Sequence, residues 1–149
     1  MLTEDSDLRQ LLSNSRVIAV VGLSDNPQRP SNRVAAYLIE AGYTVVPVNP
    51  ARAEILGLKC YPNLRAVPER IDIVDVFRRS EDVLPVAEEA VAVGAGALWL
   101  QEGVISPEAV ALAEAAGLKA VMDRCTAAEH MRLFAGVVAC AVNPGQGRA

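Results

Sequence analysis

Histidine, aromatic side chains and paired cysteines are scarce in this chain, and each scarcity removes a class of function. One histidine, His130, and three widely spaced cysteines, Cys60, Cys125 and Cys140, with no CxxC pair, supply too few clustered ligands for a structural metal site. An odd cysteine count also argues against a disulfide framework. No apolar run approaches the roughly 20 residues that span a bilayer. The N-terminus is acidic and polar where a signal peptide is basic and then apolar, so the expectation is a cytoplasmic protein without membrane contact. A formal charge of −4 gives no general attraction to nucleic acid, although a local basic cluster can still hold a phosphate.

What is abundant is small aliphatic side chains. Hydrophobic residues make up 52% of the chain and aromatics only 4%, so the core must be built from Val, Ala, Leu and Ile, which suits layered α/β packing. A length of 149 residues corresponds to one domain spanning 1–149.

Residues 17–32, VIAVVGLSDNPQRPSN, combine the start of the core with a candidate ligand site. Residues 17–21 form a continuous, β-branched apolar run that fits a strand buried on both faces. Gly22 interrupts it, Asp25, Asn26, Pro27 and Pro30 are turn formers, and Ser31 and Asn32 are placed to cap an amphipathic helix over 33–40. Strand, small-residue loop and capped helix together make an anion-binding junction, because the free N–H groups of the helix start carry partial positive charge.

Further along, Leu8, Leu11 and Leu12 predict a short N-terminal packing helix within 1–15, and Gly42 a helix C-terminus. Strands are predicted over 43–48, 71–77, 97–100 and 120–122, with Gly57 a turn and a helical turn in 63–67. Ser80 is expected to cap a helix reaching about Val93 despite Pro85. Ser106-Pro107 should open another, and Thr126 should cap a last helix through Phe134, ahead of a loose tail over 143–149. Five strand–helix alternations predict a doubly wound, mostly parallel five-stranded α/β sheet with helices on both faces. The C-terminal strand edge would collect residues 22–29, 48–50, 77–79, 101–103 and 123–125, and the site should lie there.

The loop Gly22-Leu23-Ser24 lacks the G-x-G-x-x-G pattern, and the second strand ends in Asn49-Pro50 without the acidic residue that binds a ribose hydroxyl. Both departures disfavour an NAD(P)-binding oxidoreductase. The segments VVGLSDNPQRPSNRVAAYL, GYTVVPVNP, the I-x-G of 55–57, DIVDVFRRSE, LWLQEGV and VMDRCTAAEHMRL follow one another in an order that resembles the stand-alone CoA-binding proteins. These are similar to the Rossmann-like N-terminal CoA-binding domain of the succinyl-CoA synthetase α subunit.

That resemblance implies coenzyme A or a short acyl-CoA as ligand. It implies that Gly22, Ser24, Asn26, Ser31 and Asn32, at the loop and helix start, hold the pyrophosphate, with Arg29 or Arg33 pairing with phosphate oxygens. Val48, Asn49 and Pro50 would line the adenine or ribose, and Phe77, Arg78 and Arg79 would border the pantetheine path or the ribose 3′-phosphate. The synthetase's phosphorylated histidine sits on a further domain, and His130 does not correspond to it.

For Trp99 and Phe77 packing is the expected role, and for His130 a helix-surface or packing one; Cys125, beside Arg124, reads either as an inert thiol or as an activated one. The expectation is therefore a binding protein without a catalytic cluster. A CoA-dependent transferase or ligase component acting with a partner subunit is the alternative, and a protein partner or homo-oligomer stays open.

Overall fold

The structure, a computed structural model, describes residues 1–142, with residues 135–142 as helical backbone only. The tail expected over 143–149 and the side chain of Cys140 therefore lie outside what is described. Five parallel strands, β1 (Val17–Val21), β2 (Thr44–Val48), β5 (Ile73–Val76), β6 (Ala97–Leu100) and β7 (Lys119–Val121), form one sheet in the order β2-β1-β5-β6-β7. All four pairings are parallel. The alternation read from the sequence thus yields the expected Rossmann-like α/β architecture. The chain leaves β1 toward β2 on one side and returns to β5 on the other, so the ends of β1 and β5 flank a topological switch point.

Both faces of the sheet are covered, which explains why its strands read as unbroken apolar runs. On one face, Ala19, Val21, Val74, Val76, Leu98 and Leu100 pack against α3 (Val83–Ala92) and α4 (Pro107–Ala115). On the other, Ile18, Val20, Ile73 and Trp99 meet α1 (Asp5–Asn14), α2 (Pro30–Glu40) and α5 (Thr126–Val142). The leucines of the N-terminal segment, Leu8, Leu11 and Leu12, are buried there as their spacing predicted. Trp99 is fully buried, in keeping with a packing role.

Local details depart from expectation where tertiary contacts claim a side chain. Helix α2 starts at Pro30 with Arg29 as its N-cap residue, so Ser31 and Asn32 lie inside the first turn and cap nothing. Ser80 does not cap α3 either: a 3-10 turn over Ser80–Asp82 precedes that helix, and the Ser80 hydroxyl accepts the N–H of Ile105. Pro85 falls in the first turn of α3, where no intrahelical N–H is needed. Ser106 does cap α4, accepting from the N–H of Ala109.

The connection read as a turn at Gly57 is a small hairpin of β3 (Glu54–Ile55) and β4 (Leu58–Lys59), whose turn holds Leu56 at φ 56° and Gly57 at φ 73°. The last helix continues to Val142, past the predicted end at Phe134. Thr126, its first residue, is buried and turned toward the sheet. No helix among the described residues is long and apolar enough to cross a membrane.

Candidate functional site

The loop after β1 is shaped by one close approach. Gly22 has φ +86°, and a Cβ on it would overlap the carbonyl oxygen of Phe77, the residue that follows β5. Only glycine lets the two loops of the switch point touch backbone to backbone. The Gly22 N–H donates to the Val48 carbonyl, tying the third strand end into the same corner.

The rest of the loop is held by its own polar side chains. The Ser24 N–H donates to Ser31 Oγ (3.0 Å), and Asn32 Nδ2 donates to the Ser24 carbonyl (2.9 Å). From β2, Asn49 Nδ2 donates to the Leu23 carbonyl (3.0 Å). Asn26 closes the tip, donating its N–H to Ser24 Oγ (3.1 Å) and accepting the Gln28 N–H at Oδ1 (2.9 Å). With Ser31 Oγ spent on the loop, the Ser31 N–H at the start of α2 has no partner among the described residues. It is one of the free helix-start donors that favour an anion.

A cavity of about 170 Å³ lies against this cradle, lined by Gly22, Ser24, Arg29, Pro30, Ser31 and Phe77. Pro30 and Phe77 are shared with a neighbouring cleft of about 370 Å³ that adds Val34, Gln101, Glu102 and Cys125. Beyond Val34 and Cys125 a third hollow of about 320 Å³ runs between α2 and α5, past Arg33, Tyr37 and Met131. The site is thus a pocket that bears serine and arginine groups, with a more apolar channel leading away from it. A separate cavity of about 350 Å³, by Ser15, Arg16, Gly42 and Tyr43, lies at the opposite end of the sheet, beside the starts of β1 and β2 and away from the cradle.

Residues 16–131 match the model of the CoA binding domain. The chain belongs to this CoA-binding family. It is 41% identical over 125 residues to the uncharacterized protein YneT of Bacillus subtilis, covering 84% of this chain and 93% of that one. A solved structure of a hypothetical protein from Pyrococcus horikoshii superposes with a TM-score of 0.86 at 41% identity, over 89% of this chain and 93% of the other. The chain is also 29% identical over 143 residues to an ADP-forming acetate–CoA ligase of Archaeoglobus fulgidus, covering 89% of this chain but 21% of the ligase. It is therefore related to one segment of a much longer ligase.

Within the family fold, the residues singled out from the sequence divide by position. Gly22, Ser24, Arg29, Ser31 and Phe77 meet at the pocket at the start of α2, and Arg33 lines the channel beyond it. Asn32 and Asn49 brace the loop through its backbone carbonyls, and Asn26 closes its tip. Val48 is buried in the core, so what it offers the corner is its carbonyl, while Pro50 and Arg78 are exposed. Arg79 is paired with Asp82 (2.9 Å) and Glu81 (3.8 Å), whereas Arg29, Arg33 and Arg78 form no ion pair among the described residues. A cation not foreseen, Arg52, pairs with Asp25 of the loop at 2.8 Å.

His130 packs among Tyr37, Tyr43 and Phe134, with Nδ1 2.7 Å from the Tyr37 hydroxyl, and burial holds its pKa below the usual value. Cys125 is half-buried on the cleft wall. No cluster among the described residues could hold a metal ion.

Sequence reasoning missed a buried polar triad beneath the cleft. Asp75, in the central strand β5, is fully buried; its Oδ2 lies 2.8 Å from Thr126 Oγ1, and its Oδ1 has no partner among the described residues. Thr126 Oγ1 is also 2.9 Å from Gln101 Oε1, which accepts the Thr126 N–H at 3.1 Å. Loss of hydration pushes the Asp75 carboxyl from 3.8 up to about 8, against the smaller opposing effect of the Thr126 hydrogen bond. The signal was available: an acid within the run IDIVDVF, in a strand buried on both faces, has nowhere to go but inside.

Proposed function

We propose that the protein binds coenzyme A or a short acyl-CoA at the switch point, without catalysing a reaction of its own. The observation that carries this reading is the contact of Gly22 with the Phe77 carbonyl. It clears a pocket at the start of α2 and joins it to an apolar channel. A pyrophosphate suits the pocket, where the Ser31 N–H and the unpaired Arg29 supply positive potential. Pantetheine, long and mostly apolar, suits the channel past Phe77 and Val34. Arg78 on the rim is free to meet the ribose 3′-phosphate, while Asn49 and Pro50 border the nucleoside side.

Calorimetric titration tests the reading. CoA should bind more tightly than dephospho-CoA, and both more tightly than NAD. No heat with either CoA form at concentrations to about millimolar would overturn it.

A second reading, a ligase or transferase component working with a partner subunit, draws on the similarity to the acetate–CoA ligase. It predicts turnover of an acyl-CoA once the missing partner is supplied. If Cys125 provides chemistry, Cys125→Ala should abolish that turnover; unchanged turnover removes the residue from the mechanism.

A further inference from the structure

Asp75 projects from β5 on the same face as Phe77, and its neighbours across the sheet are Val20 and Trp99. The triad it heads can be read atom by atom. The Thr126 backbone N–H can only donate, so the Gln101 atom facing it at 3.1 Å is the side-chain oxygen, which fixes the orientation of the amide. Thr126 Oγ1 carries one proton and lies within reach of two oxygens, Gln101 Oε1 at 2.9 Å and Asp75 Oδ2 at 2.8 Å. When Asp75 is protonated it can donate to Thr126 while the hydroxyl proton turns to Gln101; when Asp75 is ionised the hydroxyl donates to it instead, and the contact with Gln101 Oε1 is no longer a hydrogen bond. In the protonated state every short contact is satisfied by one chain of donors, from a neutral Asp75 to Thr126 to Gln101.

With Oε1 held in this way, Gln101 Nε2 must point elsewhere. It donates to no group among the described residues, yet it is not a sealed unpartnered atom like Asp75 Oδ1, and Gln101 lines the cleft. Gln101 is 5% exposed and lines the cleft with Phe77 and Cys125, so its free amide N–H groups are the donors it can offer there. Around them Pro30, Val34 and Phe77 are apolar, and the one charged neighbour in the lining, Glu102, repels an anion. Such a donor suits a neutral acceptor.

We infer that Gln101 Nε2 is a preset donor for a carbonyl oxygen on the arm of the ligand, an amide of pantetheine or the thioester of an acyl group, and that Asp75 and Thr126 are positioning residues that aim it. This rests on the CoA reading above and names the recognition within that same site. Among the described residues Asp75 has no charged partner: its neighbours are Val20 on β1, Trp99 on β6 and Thr126 on α5. The nearest titratable groups in the cleft lining are Glu102 and Cys125.

The experiment titrates the full chain, as wild type, Gln101→Glu and Gln101→Met, with CoA and with acetyl-CoA. Near-ultraviolet dichroism of Trp99, which donates from Nε1 to the Arg124 carbonyl at 2.8 Å, checks that each variant is folded. Both variants should lose about tenfold in affinity, the scale of one hydrogen bond to a ligand carbonyl. Equal loss for the two ligands assigns the acceptor to pantetheine, and loss confined to acetyl-CoA assigns it to the thioester. Wild-type affinity for both ligands in either folded variant overturns the inference.

The wild-type titration alone decides whether CoA binds at all, and the ratio of variant to wild type decides the role of Gln101. Affinity measured against pH tests the positioning residues independently. In the wild type it should fall above about pH 8, as Asp75 ionises and the donor chain breaks. In Asp75→Asn, whose amide can donate to Thr126 at any pH, that fall should vanish. An identical fall in both proteins overturns the role of Asp75.

Discussion

Asp75 couples stability to pH in the direction opposite to an ordinary surface carboxylate. Its folded pKa lies above its unfolded value, so between about pH 4 and about pH 8 the native state holds a proton that the unfolded chain has released. The stability it contributes is complete below the unfolded pKa and is lost as pH rises toward 8, with a limiting slope of about 1.4 kcal/mol per pH unit. Urea unfolding across this range should show the loss in the wild type and a flatter profile in Asp75→Asn. Gly22 makes a second prediction at this scale. In Gly22→Ala the methyl group meets the Phe77 carbonyl at a φ that L-residues avoid, which should cost roughly 1–3 kcal/mol in a denaturant midpoint and weaken CoA binding. The glycine was legible as a turn residue, but its contact partner, 55 positions later in the chain, was not.

At the scale of elements, local chemistry was readable where a side chain serves its own segment. Ser106 caps α4 as its spacing promised, and Ser106→Ala should destabilise the fold by about 1 kcal/mol. CoA affinity should not change in that variant, because α4 packs on the face away from the cleft. Ser31, Asn32 and Ser80 carry similar cap signals, yet their side chains are taken by Ser24 and Ile105. The β3–β4 hairpin was hidden for another reason. Both turn residues have positive φ, a geometry signalled by Asn-Gly, but the first of them here is a leucine. Leu56→Asn should therefore raise stability by roughly 0.5–1 kcal/mol in a thermal melt, since asparagine tolerates that backbone.

For the whole molecule, a ligand that binds only the native state adds stability by mass action. CoA at 100 times its dissociation constant should add about 2.7 kcal/mol, which a melting curve will show as an upward shift. Raising ionic strength should reduce that shift, because the contacts expected from Arg29, Arg33 and Arg78 are screened.

The sequence by itself determined the layered sheet. Continuous β-branched runs demand burial on both faces, and the alternating helices supply the cover. It also pointed to the edge where the proposed site lies, since parallel strands joined by right-handed crossovers bring their C-terminal ends together. Only the tertiary structure decided what happens at that edge. The Gly22 to Phe77 contact, the latch of Ser24 on Ser31 and Asn32, and the neutral Asp75 aiming Gln101 through Thr126 all join segments that lie apart in the chain. A pattern of residue types records which face a side chain takes, but a hydrogen bond between distant segments depends on where folding places its two partners, and no local spacing encodes that.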